Sequence, residues 1–461
     1  MIKGKHIDYL FWLILIFFSN PGGIQNALGI FEFTSKVNLN DFLFIILSVL
    51  YLIKNKHYDI YDKPYKYLRR YLFFFLFYFI FVFGYLTPNI NNVVNYNAFF
   101  TIIKLRHALY SVFLFIYVYP FYKTNNMFFI KALLVSSIVI LILFLQALFT
   151  NIEIIPYETY ARGFIDIDRK LLLSYGFLPI LIPLGVVFIV FKYKEKRNIK
   201  NLVLIAFFLM FLTWIVSITR RHIAGTIIFF IIALLLQNYF NRKSLIATSG
   251  ILRISFISFL ILGIVYLTFP KYIEASYKVI EDTIHIVRYG ETSTGQIDER
   301  LQFNRYFILD LFHKYPVLGT GFDNNWRTGE GDRLGYEASD YPFLGALAMT
   351  GILGIIVFLP IYIAIIIFLY KDLIFIKRNL KRYSSIETIL LLLFILYFIY
   401  DLLQYMNWFN PMSNYVSYSW YIYLAMYLAS RRIFYAKFSK ENTVVNVNNQ
   451  KNAPFLHKSF F

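Results

Sequence analysis

The chain has no cysteine among its 461 residues, which excludes disulfides, thiolate nucleophiles and cysteine-ligated metals. Charge is scarce as well: 15% of the residues are Asp, Glu, Lys or Arg, against 59% apolar. Soluble domains carry about 25% charged residues, so a water-soluble globular class is excluded. The few charges are unbalanced, with 45 Lys and Arg against 26 Asp and Glu. No aromatic and basic stripe lies on a soluble stretch, so the net charge of +19 does not point to nucleic acid. The first apolar run, "MIKGKHIDYLFWLILIFFSNPGG", is not followed by a small-x-small cleavage site. It reads as a first helix rather than a removed leader.

What is there is apolar sequence in long runs. Twelve stretches approach bilayer length, at about 7–30, 37–53, 71–86, 99–119, 128–149, 171–191, 202–218, 223–239, 251–269, 341–370, 386–403 and 415–430. All are too long and too evenly apolar for barrel strands, whose two faces alternate. The expectation is an all-α, polytopic membrane protein of about twelve transmembrane helices. Residues 1–270 hold nine spans, 271–340 one large loop, 341–432 three more spans, and 433–461 a tail.

Basic residues orient the bundle, because short cytoplasmic loops retain Lys and Arg while translocated loops lose them. With the N-terminus inside, the inner side holds 29 of the 45 Lys and Arg residues and the outer segments 14. Two more, Lys104 and Arg106, fall within the fourth span. Both termini are expected on the cytoplasmic side, with the positive charge facing anionic lipid.

That orientation makes one stretch costly. "WIVSITRRHIAGTIIFF" places Arg220, Arg221 and His222 on the outer side, between two apolar runs. Other outer arginines are grouped too: Arg162 and Arg169 in "ETYARGFIDIDRK", and Arg300 and Arg305 in "DERLQFNRYFILD". Snorkelling to lipid phosphates explains a single interfacial Arg. A cluster of guanidiniums, which hold phosphate oxygens through paired hydrogen bonds and stay charged, suits a pyrophosphate. Lys104 and Arg106 extend the set, because trimming the span to avoid them leaves it too short to cross. Immersed cations face a wet site or a partner, and Asp41 is the partner that a structural ion pair would use.

The outer loop 271–340 carries 12 acidic and 8 basic residues, opposite in sign to the whole chain. Its "IDERLQFNRYFILDLFHKY" reads as an amphipathic helix on the membrane surface. "PVLGTGFDNNW" then gives a proline stop and a tight turn at Gly319 and Gly321, weak as a phosphate loop and ordinary as loop geometry. Acid–base candidates on this side are Asp340, Asp298, Glu299, Glu337 and His222. Asp340 also fits a helix N-cap ahead of Tyr341 and Pro342. Asp166 and Asp168 form a D-x-D, the spacing by which two carboxylates hold a divalent cation, and one that also arises by chance.

Arg300, an amphipathic helix, "YPVLGTGFDN" and then "DYPFLGALAMTGILGIIVFLP", with the earlier "SITRRHIAGTI", together resemble the O-antigen polymerase and O-antigen ligase superfamily. The resemblance covers about a third of the chain. It implies a GT-C-like helical core in the bacterial inner membrane, with the large loop in the periplasm. It also implies glycan transfer from undecaprenyl pyrophosphate to a sugar hydroxyl, with no metal or other cofactor. Ligases of the superfamily usually carry a His-Asn pair just before the late helix, where this chain has Ser339, Asp340 and Tyr341. The polymerase branch is therefore expected, with Asp340, Arg220 and Arg300 catalytic. Arg106, Arg162, Arg221, Arg305 and Lys104 are expected to bind pyrophosphate. The partners implied are the undecaprenyl-pyrophosphate-linked oligosaccharide, the lipid bilayer, a chain-length regulator and a flippase, with no nucleic acid. A ligase is the alternative. A lipid-linked sugar flippase is the alternative of another class, disfavoured because the two halves of the chain do not match each other.

Overall fold

The computed structural model describes the backbone of residues 4–19, 39–55, 62–91, 98–150, 157–162, 165–172, 177–191, 197–216, 220–241, 312–321, 342–379, 386–403 and 416–451, with the single positions 263, 277, 281, 285, 288 and 289. The protein is a helical, polytopic bundle. In chain order its helices are α1 Gly4–Phe18, α2 Leu39–Asn55, α3 Lys63–Ile90, α4 Ala98–Thr150, α5 Leu181–Val190, α6 Arg197–Val216, α7 Arg220–Asn241, α8 Pro342–Asn379, α9 Ile386–Leu403 and α10 Val416–Lys451. Among the described residues four helical segments are long and apolar enough to cross a bilayer: 63–90, 108–147, 350–378 and 386–403. Three shorter apolar segments accompany them, at 178–190, 198–214 and 225–240.

Several boundaries differ from the sequence reading. The sixth span does not begin at residue 171, because Ile165–Leu172 is a strand, and helical structure starts at Leu178. The fourth and fifth spans are two helical stretches that join directly across a kink at Asn125, whose backbone leaves the helical region. The last span continues into the expected tail as far as Lys451. The ninth span and the amphipathic segment before residue 312 lie outside the described residues.

Among the described residues the one addition to the helices is a hairpin between α4 and α5, β1 Tyr157–Arg162 paired antiparallel with β2 Ile165–Leu172. Tyr160 pairs with Arg169 and Arg162 with Ile165, so Ala161 alone stands opposite residues 166–168. The bulge thus falls on the D-x-D, and a bulge re-aims side chains that a regular strand would put on one face.

Helices α5, α9 and the 419–430 stretch of α10 are buried on nearly every side and form the bundle's centre. A helix apolar all round belongs there, and between lipid and protein it is packing, not transfer from water, that decides helix association. Interdigitated rings supply much of it, as where Tyr397 meets Tyr423 at 4.8 Å edge to face. Helices α2 and α8 lie outside this centre, with Leu52 and Ile356 exposed as lipid-facing residues would be.

Polar ties fasten one end of the bundle. Lys54 of α2 pairs with Asp8 of α1, Tyr119 of α4 donates to Asp62 at 2.6 Å, and buried Asp372 of α8 binds three groups of α10. Those are Tyr427 at 2.6 Å, Arg431 at 2.7 Å and Tyr435 at 2.8 Å. A carboxylate inside the bundle is tolerable only with such a full set of donors.

Candidate functional site

Arg220 and Arg221 open α7, which returns antiparallel to α6 after only residues 217–219. Cations in the first turn of a helix oppose its dipole, while an anion there is favoured by the same amides. The sequence placed these residues in a gap between spans; the structure places them at the start of the second one. Two turns in, α7 approaches α9 near the C-terminal end of α9. A Cβ on Gly225 would collide with the Tyr400 hydroxyl, and the rings of Phe229 and Tyr400 lie 4.0 Å apart. Glycine at 225 is therefore a requirement of close approach, which fixes the first turns of α7 beside the last turn of α9.

The second anchor is a broken helix. Gly351 interrupts α8 with φ 64° and ψ −170°, leaving Pro342–Thr350 as a separate N-terminal segment. A break in the membrane exposes amides and carbonyls that lipid cannot satisfy, and residues 316–320 satisfy them. The amides of Ile352 and Leu353 donate to the carbonyls of Pro316 and Val317 at 2.9 and 3.0 Å, and the amide of Thr320 donates to the carbonyl of Ala348 at 3.0 Å. The C-terminal end of α3 closes the assembly, where Asn91 donates to the carbonyl of Gly319 at 2.7 Å. A Cβ at Gly321, φ +80°, would sit 2.7 Å from Pro88 Cδ. The glycines of "LGTG" thus serve backbone docking, and the phosphate-loop reading of Gly319 and Gly321 gives way to it. The helical segment that this docking orients begins two residues after Asp340.

Arg106 lies on α4 with its Nε 3.4 Å from Asp41 Oδ1 of α2, and Tyr110 donates to the same oxygen. Both charged side chains are partly buried, at 23% and 19% exposure. Asp41 is the partner that the sequence offered as the structural alternative, so Arg106 ties α2 to α4 whatever else its remaining donors hold. Lys104 lies on the same helix, half a turn earlier. Arg162 ends β1 at the tip of the hairpin. Asp340, Arg300 and Arg305, with Asp298, Glu299 and Glu337, lie outside the described residues.

One residue escaped the sequence reading. Asp401, in "FIYDLLQ" near the end of α9, is 8% exposed and accepts a 3.0 Å hydrogen bond from the Trp420 indole of α10. It follows Tyr400, the residue that meets Gly225 of α7. A carboxylate inside an otherwise apolar span was the available signal, since such residues mark functional sites.

Residues 205–359 match the family model described as O-antigen ligase. No curated protein matches the chain. The matched segment runs from α6 to the residue before Pro360 of α8. It contains Arg220, Arg221, Arg300, Arg305, Asp340, the docked glycine loop and the helix break. Lys104, Arg106, Arg162 and Asp401 lie outside it and are features of this chain beyond the shared domain.

Proposed function

From the domain of the O-antigen ligase and polymerase superfamily that residues 205–359 carry, we propose that this chain is an inner-membrane glycosyltransferase that polymerises oligosaccharide repeat units. The units are linked to undecaprenyl pyrophosphate, and the product is O-antigen, capsule or exopolysaccharide. The observation that carries the reading is the pair Arg220 and Arg221 at the opening of α7, inside that domain and on the side assigned to the periplasm.

The chemistry follows from the groups available. An acceptor sugar hydroxyl attacks the anomeric carbon of the donor glycan, the bond from that carbon to the pyrophosphate oxygen breaks, and the electron pair leaves with undecaprenyl pyrophosphate. Charge grows on the departing phosphates. Arg220 and Arg300 stabilise it, with Arg162, Arg221, Arg305, Lys104 and Arg106 holding the pyrophosphate. Asp340 takes the proton that the acceptor hydroxyl loses. Both termini are cytoplasmic in this arrangement, and a chain-length regulator and a flippase are its partners.

A ligase is the second reading, favoured by the description of the matching family itself. Residues Ser339, Asp340 and Tyr341, in place of a His-Asn pair, favour the polymerase. Purified protein incubated with undecaprenyl-pyrophosphate repeat units, with and without chelator, tests donor, activity and metal need together. Ladder formation supports the polymerase, and unchanged single units reject it. In cells, losing a polymerase leaves single-repeat surface glycans, losing a ligase leaves long unattached polymer, and losing a flippase traps single units inside.

A further inference from the structure

A groove of about 380 Å³ runs between α3 and α8, away from the arginines. Its walls are two helical stripes at three- and four-residue spacing: Pro64, Leu68 and Tyr71 on α3, and Pro360, Ala364 and Phe368 on α8. It exists for a local reason. Pro360 lacks an amide hydrogen and its ring opens the preceding turn. Tyr71 donates its hydroxyl to the carbonyl of Val357 in that turn, which closes the groove's upper end. Ala364, one turn past the proline, leaves the floor empty.

The groove has one apolar opening and one charged end. Phe74, Ile363 and Ile367 flank it and are exposed, as residues facing hydrocarbon would be. At its other end, where α3 begins, stands exposed Lys63, with exposed Lys66 and Arg70 on the next turns. None of the three makes an ion pair among the described residues. The nearest acid in sequence, Asp62, accepts a 2.6 Å hydrogen bond from Tyr119 instead of capping α3. Water does not fill an apolar cleft, and an empty one forfeits packing. An acyl chain fits the walls, and a phosphate at the membrane surface fits the uncompensated cations.

We propose that this groove binds one anionic phospholipid, its acyl chain between α3 and α8 and its phosphate at Lys63, with Lys66 adding to the positive charge of that end of α3. The site is separate from the transfer chemistry and stands whether the chain is a polymerase or a ligase.

The test uses the full chain in phosphatidylcholine nanodiscs doped with phosphatidylglycerol that carries a photoactivatable diazirine in its acyl chain. Crosslinked peptides are mapped by mass spectrometry, with diazirine phosphatidylcholine as the comparison. The expected label falls on residues 63–71 and 360–368, several-fold above the phosphatidylcholine label there and above label on the lipid-facing side of α2. Lys63→Gln with Lys66→Gln should reduce it to the phosphatidylcholine level, and Ala364→Phe should displace it. Equal labelling by both lipids, or an even spread over all lipid-facing helices, means only surrounding bilayer and overturns the proposal. Label that survives Ala364→Phe overturns it too. If Ala364→Phe does not insert, the lysine variant, altered only at exposed positions, decides alone.

Discussion

The amide of Thr320 donates to the carbonyl of Ala348 across 3.0 Å, joining residues 316–320 to the last turn before the break in α8. The bond forms because Gly351 turns the chain with a positive φ and lets Val317 and Gly319 reach its backbone. Gly351→Ala should therefore fail twice, through backbone strain of about 1–3 kcal/mol in a region that only glycine adopts readily and through collision of the new Cβ with the Val317 carbonyl. We expect a lower melting temperature in detergent and loss of transfer activity. A variant that melts and works like the parent would mean that the loop docks elsewhere.

Arg220→Lys and Arg221→Lys keep the charge but lose the planar fork. Loss of one preorganised donor to a developing oxyanion should slow transfer on the order of a hundredfold, with insertion unchanged. Arg300→Lys and Arg305→Lys should divide, since five-residue spacing on a helix sets them on different faces. Glycan ladders from cells expressing each variant at equal level are the measurement. Parental ladders for both Arg220→Lys and Arg221→Lys would reduce that pair to snorkelling residues.

For Asp340, Asn and Ser are the informative replacements, because both cap helices and neither accepts a proton as a base. If the carboxylate works as the base, both should lose roughly a hundredfold or more in rate while thermal stability holds. Normal chain length in both, at normal expression, would leave Asp340 as a cap only.

Asp401 separates packing from charge in the same way. Asp401→Ala strands the Trp420 indole N–H inside the bundle, at a cost of about 1–3 kcal/mol, and should lower the melting temperature. Asp401→Asn retains an oxygen to accept that hydrogen bond and should melt near the parent. If Asn also loses activity, the negative charge itself serves the neighbouring arginine site. Full activity in Asn confines Asp401 to holding α9 against α10.

Topology underlies all of these. A reporter fused after Asn241, and another after Arg432, should report cytoplasm, while one inserted at Gly290 should report the periplasm. A cytoplasmic Gly290 would return Arg220 and Arg221 to ordinary inner-side residues and remove the site.

The sequence by itself determined the class of the molecule, a helical polytopic membrane protein, and the resemblance that the match over residues 205–359 supports. Apolar runs and loop charge are one-dimensional quantities, read along the chain without knowing what packs against what. It also singled out Arg220, Arg221 and Lys104, because a cation in an apolar run is costly wherever its partners lie. Only the tertiary structure decided what those residues adjoin. That Arg106 pairs with Asp41, 65 positions earlier, depends on α2 lying against α4. That "LGTG" is a docking element rather than a phosphate loop depends on carbonyls and amides freed by a break some thirty residues later. Gly225 reads as an ordinary small residue in an apolar helix until the Tyr400 hydroxyl is found against it. Asp401 reads as the edge of a span until Trp420 covers it. In each case the deciding partner is distant in sequence, and periodicity reports which face a residue occupies but not which helix that face meets.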